Sequence, residues 1–281
     1  MAKELTKEDV IQNKKNAIKT LNKLLEQFIN DKSAQHLKKA DLISYWIKDY
    51  VGLISFEEKF DPTKNLSYKR GNILKLNFGF NIGSEYGGLH YGIVLDTKND
   101  HNSSVVTVIP LTSSKDGKKS HSNNVELGNE LYRSLKLKYD TISKTLKEQQ
   151  EEIAREKKMF DAIIELARSN VDELSKYKKG SDDYAQKIAD TEKYIAEAES
   201  LKKAWVTKAE ANIEKQTHLA KIGKEISRMK KGSVALINQI TTVSKQRIFD
   251  PRNLKGVLAG VSLSEENMKK INQKVKDLYI F

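Results

Sequence analysis

Two stretches in which apolar and polar residues tend to alternate, residues 68–128 and 232–281, are separated by about a hundred residues whose apolar positions recur every three, four or seven. Alternation suits a strand with one buried face, and the longer spacing suits a helix. The first stretch offers only about four strands, too few to close a sheet alone, so the two pieces are expected to fold as one domain. The helical segment is then an insertion in one of its loops.

Gly71 to Phe78 places Leu74, Leu76 and Phe78 on one face and Lys75 and Asn77 on the other. Tyr91 to Asp96 and Ser104 to Leu111 are rich in β-branched residues and flank an Asn/Asp/His/Ser turn, and Asn123 to Leu127 is a short fourth strand. After Gly232 the strand pattern returns in Ser233 to Ile240 and Val243 to Ile248, with an irregular stretch around Asp250-Pro251. A closing helix is signalled by Ser264 as N-cap, Glu265 and Glu266 in its first turn, and Met268, Ile271, Val275 and Leu278 at helical spacing.

Within the insertion, Leu135, Tyr139, Ile142, Leu146, Ile153, Phe160, Ile163, Ala167, Val171 and Leu174 trace the seam of a coiled coil. Lys178 to Asp183 supplies a turn, and a matching stripe from Tyr184 through Ile195 and Trp205 to Met229 leads back. Two such helices would each run about 70 Å at 1.5 Å per residue, far beyond a small β-domain. Thr6 to Val51 is also helical, with a break at Asp31 to Ser33, and Glu57 to Leu66 with its Asp61-Pro62 pair reads as a linker. The expected division is an N-terminal helical extension (1–66), a first β-part (67–128), an inserted antiparallel hairpin (129–231), and a second β-part with the closing helix (232–281).

Charged residues make up 31% of the chain and only three prolines occur, which suits long solvated helices. The formal net charge of +12 points towards a polyanionic partner, because clustered Lys and Arg release counterions on neutralising phosphates. The excess is spread at about +2, +2, +4 and +4 over the four segments, so no basic tail locates the contact. The absence of Cys removes disulfides, Cys-ligated zinc and thiol catalysis, and fits a reducing compartment. No run approaches the ~18–20 apolar residues of a membrane span, and Met1 to Glu4 has no apolar signal core, so a soluble cytoplasmic protein is expected.

The densest cluster of chemistry-bearing residues is Gly83-Ser84-Glu85-Tyr86-Gly87-Gly88-Leu89-His90-Tyr91-Gly92. Its glycines leave backbone free to approach a ligand, while Ser, Glu, Tyr and His supply acid, base and donor groups. No Lys-Ser/Thr follows, which excludes a P-loop, and the next element is a strand, which excludes a dinucleotide fingerprint. His36, His101 and His218 have no i,i+4 partner and no convergent carboxylates, so they are expected to be surface histidines and not metal ligands.

The run Arg70 to Phe78, then Gly83-Ser84-Glu85, then Gly88 leading into Ile93-Val94-Leu95, resembles the opening of the MazF/PemK family of toxin ribonucleases. Val108-Ile-Pro-Leu-Thr112 is similar to that family's third strand. Ala235 to Ile240 with Thr242, Lys245 and Arg247 resembles its late strand pair, and Ser264 to Met268 its closing helix. The resemblance implies an α+β fold built on a small SH3-like, MazF/CcdB-type β-barrel, interrupted here by the coiled-coil hairpin. It further implies a homodimer with single-stranded RNA along its interface, cleavage through the 2′-hydroxyl without metal or other cofactor, growth inhibition, and a cognate antitoxin that blocks the groove.

On that resemblance Thr112 matches the family's catalytic threonine, and Glu85 and Gln239 match positions of the RNA groove. His90 stands where the family's usual catalytic arginine aligns, with Tyr91 in place of the following proline. Cleavage needs a base for the 2′-proton, an acid for the leaving 5′-oxygen and a donor for the charged phosphorane. Histidine suits the first two roles near neutral pH and arginine the third. Thus His90, Thr112 and Glu85 are the candidate catalytic groups. Ser84, Lys115, Lys118, Lys119, Gln239, Thr242 and Arg247 are the candidate RNA contacts, with Arg247 or one of the lysines supplying the missing cation.

Plain alternatives stand beside these. Threonine at a strand end is common for β-propensity alone, Glu85 can be a solvated loop acid, and His90 can make a structural hydrogen bond at a strand entry. Tyr139, Phe160 and Trp205 in the hairpin are expected to pack and not to stack on bases. A different class of function also remains open: a non-catalytic module of the same fold that grips RNA or a protein and assembles through its coiled coil.

Overall fold

The computed structural model describes residues 5–114 and 120–280. Helices α1 (Lys7–Asn30) and α2 (Ala34–Phe56) precede strands β1 (Ile73–Asn77), β2 (Leu89–Val94), β3 (Val105–Ser113) and β4 (Asn124–Gly128). The long helices α3 (Glu130–Glu173) and α4 (Asp182–Arg228) follow. Then come β5 (Ser233–Leu236), β6 (Thr241–Ser244), β7 (Ile248–Asp250) and α5 (Glu265–Tyr279).

Strands from both sides of the long helices share one sheet, in the order β4-β5-β3-β2-β1-β7, with β6 also paired to β3. β5 lies between β4 and β3, so Ala235 faces Val125 on one side and Leu111 on the other. Val106 of β3 pairs with Val243 of β6. All of these pairings are antiparallel, and among the described residues β4 and β7 remain the open ends of the path.

Alternation along the strands builds a core on each face of the sheet. Ile73, Ile93 and Ile109 enter one apolar cluster, and their neighbours Leu74, Val94 and Val108 enter the other together with Leu76 and Phe78. Leu131 and Leu135 of α3, Ile222 of α4 and Ile271 of α5 complete the first cluster. Each such side chain contributes about 1.5–3 kcal/mol on full burial, so the roots of the long helices are part of the sheet's own core. The polar position Lys75 uses the same geometry: its ammonium lies 2.5 Å from the carboxylate of Glu225 in α4, which also accepts from the Tyr91 hydroxyl.

α3 and α4 run antiparallel, as shown by contacts that climb one helix while descending the other. Lys215 donates to Gln149 at 2.9 Å, Lys208 to Glu152 at 2.7 Å, and Lys187 to Glu173 at 2.8 Å. At 44 and 47 residues, the helices extend about 66–70 Å. The seam is uneven: Leu146, Ala167 and Ala198 are buried, whereas the stripe positions Val171 and Ile195 are 52% and 44% exposed.

The later β-segment is more broken than its alternation suggests. β5 stops at Leu236, a 3-10 turn covers Ile237–Gln239, and a second over Lys245–Arg247 splits the expected Val243–Ile248 strand into β6 and β7. The Ser244 hydroxyl accepts the Gln246 amide at 3.2 Å, a local side-chain cap that competes with the strand ladder. α2 continues past Val51 to Phe56, and Ser264 caps α5 as its sequence requires, accepting from Asn267 at 3.3 Å.

Candidate functional site

The loop between β1 and β2 closes on itself before it meets the rest of the molecule. Phe78 donates its backbone N–H to Gly88 at 2.8 Å, and Gly88 donates to Gly79 at 2.7 Å. A Cβ on Gly87 would sit 2.6 Å from the Gly79 carbonyl oxygen, so only glycine fits this close approach. Inside the neck, the Asn81 amide donates to the Tyr86 carbonyl at 2.8 Å.

Tyr86 is the centre of the loop. Its ring meets Phe78 edge-on at 5.6 Å, and its hydroxyl donates to the Leu111 carbonyl on β3 at 2.6 Å. Burial raises the phenol's pKa, an effect partly opposed by hydrogen bonding with the Thr112 side chain. The same ring lies 4.7 Å from the His90 imidazole. His90 is exposed on one side and covered on the other, and that partial desolvation lowers its pKa. Tyr86 therefore ties the loop to β3 one residue before Thr112 and lies against His90, whose imidazole is biased to its neutral form.

Beside this group runs a groove of about 480 Å³ whose lining includes Glu85, Gln239, Thr242 and Arg247. Gln239 accepts the backbone N–H of Tyr86 at 3.2 Å and donates to the Ser84 carbonyl at 3.3 Å, so the late segment clamps the loop. The Thr242 hydroxyl is 3.0 Å from that of Thr107, its partner across the β3–β6 ladder. Arg247 donates to the Phe78 carbonyl at 3.1 Å and is the cation among the described residues lining the groove. Ser84 itself is exposed and meets Gln239 through its backbone. Lys115, Lys118 and Lys119 lie outside the described residues.

Sequence reasoning counted Tyr86 among the acid, base and donor groups of the glycine-rich run without singling it out, and it did not connect α2 to the site. The Trp46 ring packs on Gly79, where a Cβ would come within 2.9 Å of it, and the Arg247 guanidinium stands 5.1 Å from the centre of the Trp46 rings. The Asn77 amide donates to the Asp49 carboxylate at 3.2 Å. Helical spacing shows that Trp46 is on an apolar stripe; nothing in it shows which surface the stripe meets.

The family model described as PemK-like, MazF-like toxin of type II toxin-antitoxin system matches residues 69–177. Over that span the chain is similar to the family. The matched span carries β1 to β4 and all of α3, and so includes Glu85, Tyr86, His90 and Thr112. Gln239, Thr242 and Arg247 lie beyond it, on the segment that completes the same sheet. No curated protein matches the chain. Among the described residues no helix is long and apolar enough to cross a membrane, and no three His, Asp or Glu side chains gather as a metal-binding group.

Proposed function

We propose that this chain is the toxin of a type II toxin-antitoxin pair, an endoribonuclease that cuts single-stranded RNA through its own 2′-hydroxyl. The observation that carries the reading is the Tyr86 junction: its ring lies 4.7 Å from the neutral-biased His90 imidazole, its hydroxyl donates to the Leu111 carbonyl next to Thr112, and Tyr86 and Arg247 line the same polar groove. The neutral imidazole removes the 2′-proton, and the 2′-oxygen attacks phosphorus to form a cyclic phosphate. The P–O5′ bond breaks, and the imidazolium returns a proton to the leaving oxygen. Thr112 and Arg247 serve as donors to the phosphorane oxygens, where charge accumulates. Glu85, Gln239, Thr242 and Ser84 hold the flanking nucleotides.

This reading brings with it a barrel-like closure of the sheet, a cytoplasmic site of action, a homodimer whose interface continues the groove, and an antitoxin that competes with RNA. It also treats residues 1–66 and 129–231 as additions to a domain formed by 67–128 and 232–281. The test is incubation of the purified protein with mixed-sequence RNA in excess chelator, followed by end-group analysis. Cyclic phosphate ends that disappear in His90→Ala and Thr112→Ala support the enzyme. His90 in place of the family's usual arginine favours a second reading, a non-catalytic module, and RNA bound but left intact would select it.

A further inference from the structure

A second hollow, of about 490 Å³, lies between α2 and the β1–β2 loop, lined by Leu42, Tyr45, Asp49, Leu89 and His90 among others. It shares Asn81 and Glu85 with the polar groove, so the two adjoin across these residues. Their chemistries differ: one wall carries Thr241, Thr242, Ser244 and Arg247, the other an exposed tyrosine with two leucines. That succession, apolar aromatic then polar cationic, matches a polymer that alternates flat bases with anionic linkages. The volume falls within the roughly 300–1,000 Å³ of small-ligand sites.

We propose that α2 supplies a nucleobase pocket: a base of single-stranded RNA stacks on Tyr45, and the strand passes Asn81 and Glu85 into the groove of Arg247. The proposal rests on the endoribonuclease reading and adds a subsite to it. Trp46 is already wedged between Gly79 and Arg247 and acts as the pocket's support, whereas Tyr45 is 63% exposed and free to stack. At the margin, the Asp49 carboxylate and the Asn77 amide, hydrogen-bonded to each other at 3.2 Å, offer acceptor and donor atoms to a base edge. Lys38 lines the same hollow and suits an entering phosphate.

The full chain is titrated against a short fluorescein-labelled single-stranded RNA, and its cleavage kinetics are measured on the same sequence. Tyr45→Ala is expected to weaken binding about tenfold, with the loss falling on KM more than kcat, and Tyr45→Phe to restore it. Binding and KM unchanged in Tyr45→Ala would overturn the pocket while leaving the enzyme reading intact. Tighter binding or faster cleavage in Tyr45→Ala would overturn it in favour of α2 as a cover. Wild-type protein that neither binds nor cuts RNA would remove the endoribonuclease reading itself, and the subsite with it.

Discussion

Gln239 accepts the backbone N–H of Tyr86 at 3.2 Å across 153 positions of sequence, and its amide returns a hydrogen bond to the Ser84 carbonyl. The long helices separate these residues in the chain, and β3 brings them together by pairing with both β5 and β6. A side chain from the last fifth of the protein thereby sets the position of the loop that carries Glu85 and leads into His90.

Gln239→Ala removes both bonds and frees the loop. Each is worth about 0.5–1.5 kcal/mol, so stability should fall by about 1–3 kcal/mol. RNA cleavage should fall further than stability accounts for, about tenfold in kcat/KM, because Tyr86 and His90 lose their fixed orientation. Thermal melting and steady-state kinetics on one oligonucleotide check the pair of effects. Cleavage at the wild-type rate would show that the clamp is not needed for catalysis.

Tyr86→Phe keeps the ring contacts with Phe78 and His90 but deletes the hydroxyl that donates to Leu111. The Leu111 carbonyl then loses that partner, at a cost of about 1–3 kcal/mol if no water replaces it. Thr112 also loses its neighbour and should become more mobile. A smaller denaturant midpoint with an unchanged slope, together with reduced cleavage, is the expected outcome. An activity equal to wild type would separate Thr112 from the Tyr86 hydroxyl.

The pH dependence follows from His90. Burial on one side lowers its pKa from the ordinary value of 6.5, so the proposed base stays neutral at pH values where a solvated histidine is already protonated. The acid limb of kcat/KM should therefore fall below 6.5, and His90→Ala should abolish that limb together with most of the activity. The stability effect has the matching sign. The unfolded chain binds the proton more readily than the folded one, so His90's contribution declines as pH drops through 6.5 towards the lower folded value.

Glu225 ties α4 to the sheet and gives a second, structural pH effect. Burial raises its pKa, but hydrogen bonds from Lys75 and Tyr91 outweigh it, and the net shift is downward. A depressed carboxyl contributes stability above its unfolded value of 4.5 and loses it as pH falls through the lower folded value. Glu225→Gln should flatten that part of the stability profile and cost about 1–3 kcal/mol at neutral pH, since Lys75 is then left partly buried without its counter-charge. Urea unfolding at several pH values checks this, and a variant as pH-sensitive as wild type would contradict it.

The sheet was legible in the sequence because alternation is a local signal: Leu74, Leu76 and Phe78 share one core and Lys75 points to the other side. The split at Ser244 was not, because a serine cap and a strand residue have the same composition, and only the Gln246 amide decides between them. The site divides in the same way. Glu85, Gln239, Thr242 and Arg247, each marked in the sequence, line one groove, whereas the place of Tyr86, against His90 and next to the strand of Thr112, depends on a hydrogen bond to β3. The docking of α2 on the site was least legible. An amphipathic stripe specifies that a helix packs, and the contact between Trp46 and Gly79 requires two elements that share no local pattern.

The long helices also separate into a root built into the sheet's core and a distal part outside it. Removing residues 132–229 would strip Leu135 and Ile222 from the sheet's core, Lys138, which donates to the Val257 carbonyl, and Glu225, which holds Lys75. A cut beyond the Lys215–Gln149 contact spares all of them. Helices packed side by side have axes about 8–10 Å apart, which a short glycine-rich linker spans, so deletion of residues 150–214 is the appropriate variant. Because nothing in that distal portion lines the Arg247 groove, cleavage of a short oligonucleotide should stay within about twofold of wild type. If the arm recruits a partner, antitoxin affinity or toxicity in cells should drop in the same variant while the oligonucleotide assay does not. Loss of cleavage with a retained fold would instead place the distal arm on the path of the RNA.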